Sequence, residues 1–174
     1  MPSTTAVLGA WATFYTIAGS SAAALTGLMF VVITLISGQE FTKEAGMDGV
    51  SAFSTPTVVH FGAALFVSAL AVVPWPSLLA PELIFGATGL AGIAYVLSLI
   101  GRAKRLPNYD PDAEDWVWYS VLPLIGYCAI VAGAVLLRAL PFTGPFGVAA
   151  GTLILIFAGI RNAWDVVTYV ATRI

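Results

Sequence analysis

Residues 8–37 read LGAWATFYTIAGSSAAALTGLMFVVITLIS, a run without a single Asp, Glu, Lys, Arg or Pro. A helix crossing the ~30 Å hydrocarbon core of a bilayer needs about 20 mostly apolar residues. As a helix this run would extend ~45 Å at 1.5 Å per residue, more than one crossing requires. Its first turns, with Trp11, Phe14 and Tyr15, are therefore expected in the headgroup zone. No basic segment precedes it and it is too long for a signal-peptide core, which predicts a retained first span.

Four further runs qualify, at 56–73, 81–100, 116–140 and 146–169. The charges fall between them. Glu40, Lys43, Glu44 and Asp48 lie in the first connection, and Arg102, Lys104, Arg105, Asp110, Asp112, Glu114 and Asp115 in the third. The remaining charges, Glu82, Arg138, Arg161, Asp165 and Arg173, all lie near span ends. Composition agrees: 59 % hydrophobic and 9 % charged residues, where soluble domains average about 45–50 % and about 25 %. Mean hydropathy is +0.94. The sequence therefore predicts one all-α domain over residues 1–174, a polytopic transmembrane bundle of five spans whose first partner is the lipid bilayer.

Lys and Arg in short loops set orientation. Arg102, Lys104 and Arg105 follow the third span, so that loop is expected in the cytoplasm together with Lys43 and Arg173. This gives an N-out, C-in chain, with Arg138 the one basic residue on the wrong side. Tryptophan, which prefers the membrane interface, agrees: Trp11 and Trp75 fall at the outer boundary and Trp116, Trp118 and Trp164 at the inner one.

At the second span, Thr55 is positioned to cap and Pro56 to occupy the first helical position, where its missing N–H is harmless. Residues 47–54 would then form a short surface segment, or else the helix starts earlier and Pro56 kinks it. Pro74 ends the span. Asp110, Asp112 and Glu114 mimic the first ligands of a calcium loop, but Val121 stands where the twelfth-position Glu belongs. Capping of the following helix by carboxylates explains them better.

Gly19, Ala23 and Gly27 recur every four residues in the first span, a pattern that permits close helix approach in lipid. It predicts tight packing, either within the chain or along a seam with another subunit. Glycines of the third span (Gly86, Gly89, Gly92) and the fourth (Gly126, Gly133) are less regularly spaced.

His60, the single histidine, lies one turn into the second span, three residues after Thr57. Arg161 and Asp165 share a face of the fifth span, with Asn162 beside them. All five are expected at the cytoplasmic end, where His60 is the nearest partner for Asp165. Ionisable groups inside spans point to function by default, although near an interface they also serve as anchors.

Much chemistry is excluded. No span carries a lysine for a retinal Schiff base, and one His with one Cys makes neither a zinc site nor a Cys-x-x-Cys pair. There is no Gly-x-Ser-x-Gly elbow, and a sequence pI near 5.1 without a basic patch argues against nucleic acid. No catalytic residue, metal or cofactor is expected, and the chain reads as a non-enzyme.

The runs Gly19-Ser20-Ser21-Ala22-Ala23-Ala24-Leu25-Thr26-Gly27-Leu28, Phe53-Ser54-Thr55-Pro56-Thr57-Val58-Val59-His60-Phe61 and Asn162-Ala163-Trp164-Asp165-Val166-Val167-Thr168-Tyr169 resemble a family of small bacterial multispan membrane proteins. The resemblance covers most of the chain and implies a bacterial inner membrane, but no activity, ligand or partner. The small-residue face of the first span and the inner polar residues of the second and fifth point to two functions from different classes. One is an oligomeric pore or permeation protein for a small solute or ion. The other is a non-catalytic accessory subunit of a larger membrane complex.

Overall fold

The computed structural model describes residues 4–37, 47–103 and 113–171, all of them helical or in short turns. Helix α1 (Thr4–Gly9) leads into α2 (Ala12–Ser37), followed by α3 (Met47–Ala71) and α4 (Leu79–Ala103). A single turn, α5 (Ala113–Trp116), continues through a π-turn (Val117–Val121) into α6 (Leu122–Ala139), and α7 (Gly144–Ala171) completes the chain. Lys43, Lys104, Arg105 and Arg173, on which the orientation argument rests, lie outside the described residues, as do the acidic positions 110 and 112.

Among the described residues, four helical stretches are long and apolar enough to cross a membrane: Ala12–Thr34, Leu79–Ala103, Ala113–Ala139 and Gly144–Thr168. The apolar part of α3, Thr55–Ala71, is shorter. The chain is a multispan helical membrane protein.

Two features depart from the sequence reading, and a third decides between its alternatives. The first run is broken by a turn at Ala10 and Trp11, closed by the Trp11 N–H donating to the Leu8 carbonyl (2.9 Å). The turn folds Leu8 back into the main apolar cluster with Tyr15, so Tyr15 is buried in the protein. Helix α3 begins at Met47 and runs through Pro56, the earlier start that the sequence left open beside a first-turn proline. A proline inside a helix forfeits one backbone bond, and surrounding helices make that tolerable in spanning segments. The fourth span is not uniformly α-helical, because a π-turn occupies its first third.

The helices pack in the spatial order α2, α3, α7, α6, α4, with lighter contacts between α2 and α7 and between α3 and α4. Helix α7 is central, with 50 % of its apolar window buried against 22 % for the flanking α2 and α4. The α6–α7 seam is glycine on glycine. A Cβ on Gly133 would overlap the Val148 nitrogen, and one on Gly151 would overlap the Gly126 carbonyl. Only glycine lets these backbones approach so closely.

Aromatic residues gather at the α1 end, where Trp11 meets Phe146 edge-on at 4.6 Å and the Trp75 indole N–H donates to the Leu70 carbonyl (2.8 Å). At this end Arg138, in the last turn of α6, forms an ion pair with Glu82 in the first turn of α4. Each charge complements its own helix dipole.

The Gly19/Ala23/Gly27 stripe divides. Gly19 is buried against Ser68, whose Cβ would lie 2.9 Å from an added methyl. Ala23 and Gly27 face outward, and Gly27 has nothing within 4 Å of where a Cβ would stand. Within the chain, α2 packs through Tyr15, Ala18, Gly19, Ala22 and Met29 instead.

Candidate functional site

The buried stripe of α3 is Thr57, His60, Phe61, Ala64, Val67, Ser68 and Ala71, a helical period that carries three polar side chains into the interior. His60 is 0 % exposed. Its Nδ1 lies 3.0 Å from the Tyr127 hydroxyl on α6, and the Tyr95 ring of α4 stands edge-on to it at 6.4 Å. Tyr127 reaches this position because Gly92 of α4 leaves room for its ring, which would overlap any Cβ there. The His60 Nε2 and the Tyr95 hydroxyl have no hydrogen-bond partner among the described residues.

A second polar group is built around α7. Arg161 pairs with Asp165 one turn along the same helix and with Glu114 on α5 (2.5 Å), and its guanidinium lies 6.0 Å from the centre of the Trp118 ring. Arg161 and Asp165 are each about one-third exposed. Asn162, on the inward side of α7, is fully buried, and its amide nitrogen approaches the Trp118 carbonyl at 3.5 Å.

That contact follows from the sequence of α6. In the π-turn the Leu122 N–H donates to the Val117 carbonyl, one residue further back than in an α-helix. The Trp118 carbonyl thus loses its α-helical donor, and the next residue, Pro123, has no N–H to offer. Asn162 supplies the missing donor from across the seam. Its own Oδ1 has no hydrogen-bond partner among the described residues.

The five predicted residues therefore do not form one cluster. Arg161, Asn162 and Asp165 gather at the end of α7 with Glu114 and Trp118. His60 joins Tyr127 and Tyr95 instead, and Thr57 is buried on the same α3 face. The expected His60–Asp165 pair is replaced by His60–Tyr127 and Asp165–Arg161.

The two groups still lie close in depth. Gly159 of α7 is seated against the Phe61 ring. Helices α3 and α7 run antiparallel, since Ser68 meets Gly19 of α2 while Trp11, just before α2, meets Phe146 at the start of α7. Asn162 is three residues past Gly159 and Thr57 four before Phe61, so both lie within about 6 Å of the Phe61–Gly159 contact along the axis.

The sequence reading did not include Tyr127 and Tyr95. The available signal was their placement: all five tryptophans sit at span ends, whereas these two tyrosines lie inside apolar runs. Among the described residues no three His, Cys, Asp or Glu side chains come together as metal ligands would. No protein-family model, curated protein or solved structure matches the chain.

Proposed function

We propose that this chain is a five-span, N-out/C-in protein of the bacterial inner membrane that assembles as a homo-oligomer and serves permeation of an ion or small solute. Helix α3 supplies the fifth crossing. The α1 end then faces outward, where Glu82 neutralises Arg138, the one basic residue that breaks the positive-inside pattern. The outward stripe of Ala23 and Gly27 is where protomers meet.

One observation carries the permeation reading. His60 and Asn162 are fully buried in the spanning region, yet each leaves a polar atom without a hydrogen-bond partner among the described residues. A buried unsatisfied group costs about 1–3 kcal/mol. Asn162 Nδ2 serves the Trp118 carbonyl and His60 Nδ1 the Tyr127 hydroxyl, but Asn162 Oδ1 and His60 Nε2 serve no packing contact of this kind among the described residues. Polar groups retained at such a cost inside a bundle mark ion and substrate pathways. Thr57, His60 and Asn162 form the inner part of the path, and Arg161 with Asp165 its cytoplasmic mouth. The function is non-enzymatic, and the resident partners are lipid and further copies of the chain.

Reconstitution into vesicles tests this. Passage of ions or small solutes above that of protein-free vesicles, reduced by Asn162→Leu, is the expected result. Vesicles as tight as protein-free ones contradict it.

A second reading, a non-catalytic accessory subunit, is favoured by the flanking α2 and α4, which bury only 22 % of their apolar windows and leave broad faces for other chains. Purification in mild detergent separates the two. A closed homo-oligomer supports permeation, and stoichiometric foreign membrane subunits support the accessory role.

A further inference from the structure

We propose that the permeant is the proton and that His60, held by Tyr127, binds it within the membrane interior. The inference rests on the permeation reading and names its substrate.

Packing first restricts what could pass within a protomer. At the level of His60 the interior is close-packed: Gly92 lies against the Tyr127 ring, and Gly159 against the Phe61 ring, 2.5 Å from where its Cβ would stand. A neighbouring level is closed by the backbone approach of Gly126 and Gly151. A hydrated ion needs a continuous bore. A proton needs only groups that accept and release it.

The donor set points the same way. Among the described residues His60 is the fully buried side chain whose ordinary pKa allows protonation near neutral pH. The ionisable groups facing it are Tyr127 from α6 and Tyr95 from α4. Helix α7 presents Gly159 at this level, and its charges, Arg161 and Asp165, are engaged with each other and with Glu114. Among the described residues no fixed negative charge therefore stands by the imidazole to favour a metal cation.

Geometry leaves the ring one free nitrogen. Nδ1 is held by Tyr127, which fixes the plane, and Nε2 has no partner among the described residues. With Nδ1–H donating to the Tyr127 hydroxyl, Nε2 carries the lone pair. It takes a proton from hydronium on one side, an O–H bond breaking as the second N–H bond forms. That N–H bond breaks as water on the other side takes the proton. One proton enters, one leaves, and no electron moves.

Unpartnered buried oxygens lie to either side. Asn162 Oδ1 is toward the cytoplasmic end, and Ser68 Oγ is eight residues along α3, ~12 Å toward the α1 end. Such groups are where bridging water binds.

The test uses the intact chain in vesicles loaded with potassium, with valinomycin setting the potential and a trapped dye reporting internal pH. Wild-type vesicles should move protons, His60→Gln should lower the rate at least tenfold, and Tyr127→Phe should give an intermediate rate. His60→Gln vesicles that move protons at the wild-type rate overturn the inference and leave the permeation reading standing. So does passage of sodium or glycerol without protons. Vesicles tight to all three overturn both.

Because the chain has a single histidine, nitrogen-15 labelling gives a readout independent of folding in the variants. The imidazole of the wild-type protein should switch reversibly to imidazolium as pH is varied between about 4 and 9. A ring that stays neutral throughout overturns the proposal.

Discussion

The Nδ1 of His60 and the hydroxyl of Tyr127 lie 3.0 Å apart, although the residues are separated by 67 positions in sequence. The contact joins α3 to α6 across the interior, and it exists because Gly92 of α4 makes space for the tyrosine ring. Two polar side chains that would each be costly alone are brought into register by the packing of three helices.

Removing one member of this pair should destabilise more than removing both. Tyr127→Phe leaves His60 Nδ1 unsatisfied and is expected to cost about 1–3 kcal/mol, whereas apolar replacement of both partners is close to neutral. Thermal unfolding in one detergent, compared for Tyr127→Phe and the double variant His60→Leu/Tyr127→Phe, checks this. The double variant should melt above the single one.

Asn162 and Pro123 should be coupled. Asn162→Ala removes the donor to the Trp118 carbonyl and is expected to cost about 1 kcal/mol. Pro123→Ala supplies a backbone N–H that can take over, so Asn162→Ala on that background should cost less. A double-mutant cycle reads the difference directly. Additive effects would mean that the π-turn does not create the need for Asn162.

Glycines should split into two classes. Gly151→Ala drives a methyl into the Gly126 carbonyl and to 2.6 Å from Ile130 Cγ1, and overpacking of this kind costs about 1–3 kcal/mol. Gly27 is exposed, with nothing among the described residues within 4 Å of an added Cβ, and Gly27→Leu should leave folding intact while lowering the oligomeric state in detergent. Unfolding midpoints and size measurements on the two variants separate protomer packing from assembly.

Orientation is tested by reporter fusions after Ala10, Pro107 and Ile174. Outside, inside and inside are the expected signals. A cytoplasmic signal at Ala10 contradicts the N-out arrangement and would place the Glu82–Arg138 pair on the cytoplasmic side.

Hydrophobic run length alone made the helical membrane class legible, because no other fold tolerates runs such as 8–37. That Thr57, His60 and Asn162 stand inside apolar runs was legible as well, but that Asn162 turns fully inward while Arg161 and Asp165 stay about one-third exposed was not. Other features depended on contacts between distant segments. The break at Trp11 is fixed by where Leu8 and Tyr15 pack, and the path of α3 through Pro56 by neighbours that compensate a lost bond. The glycine seam of α6 and α7 was obscured because Gly126 and Gly133 show regularity only when set against Gly144, Gly147 and Gly151 of the facing helix. The partner of His60 was missed for a related reason. Depth suggested Asp165, but an intrahelical Arg161 satisfied that carboxylate, and a glycine on a third helix admitted Tyr127.

The most direct measurement of the central claim, that the buried polar groups serve passage and not packing, is flux through vesicles holding the His60→Leu/Tyr127→Phe double variant. The account predicts a protein that melts near the wild-type temperature and assembles normally, yet leaves the vesicles at least tenfold tighter to protons. Wild-type proton flux through that variant would contradict it.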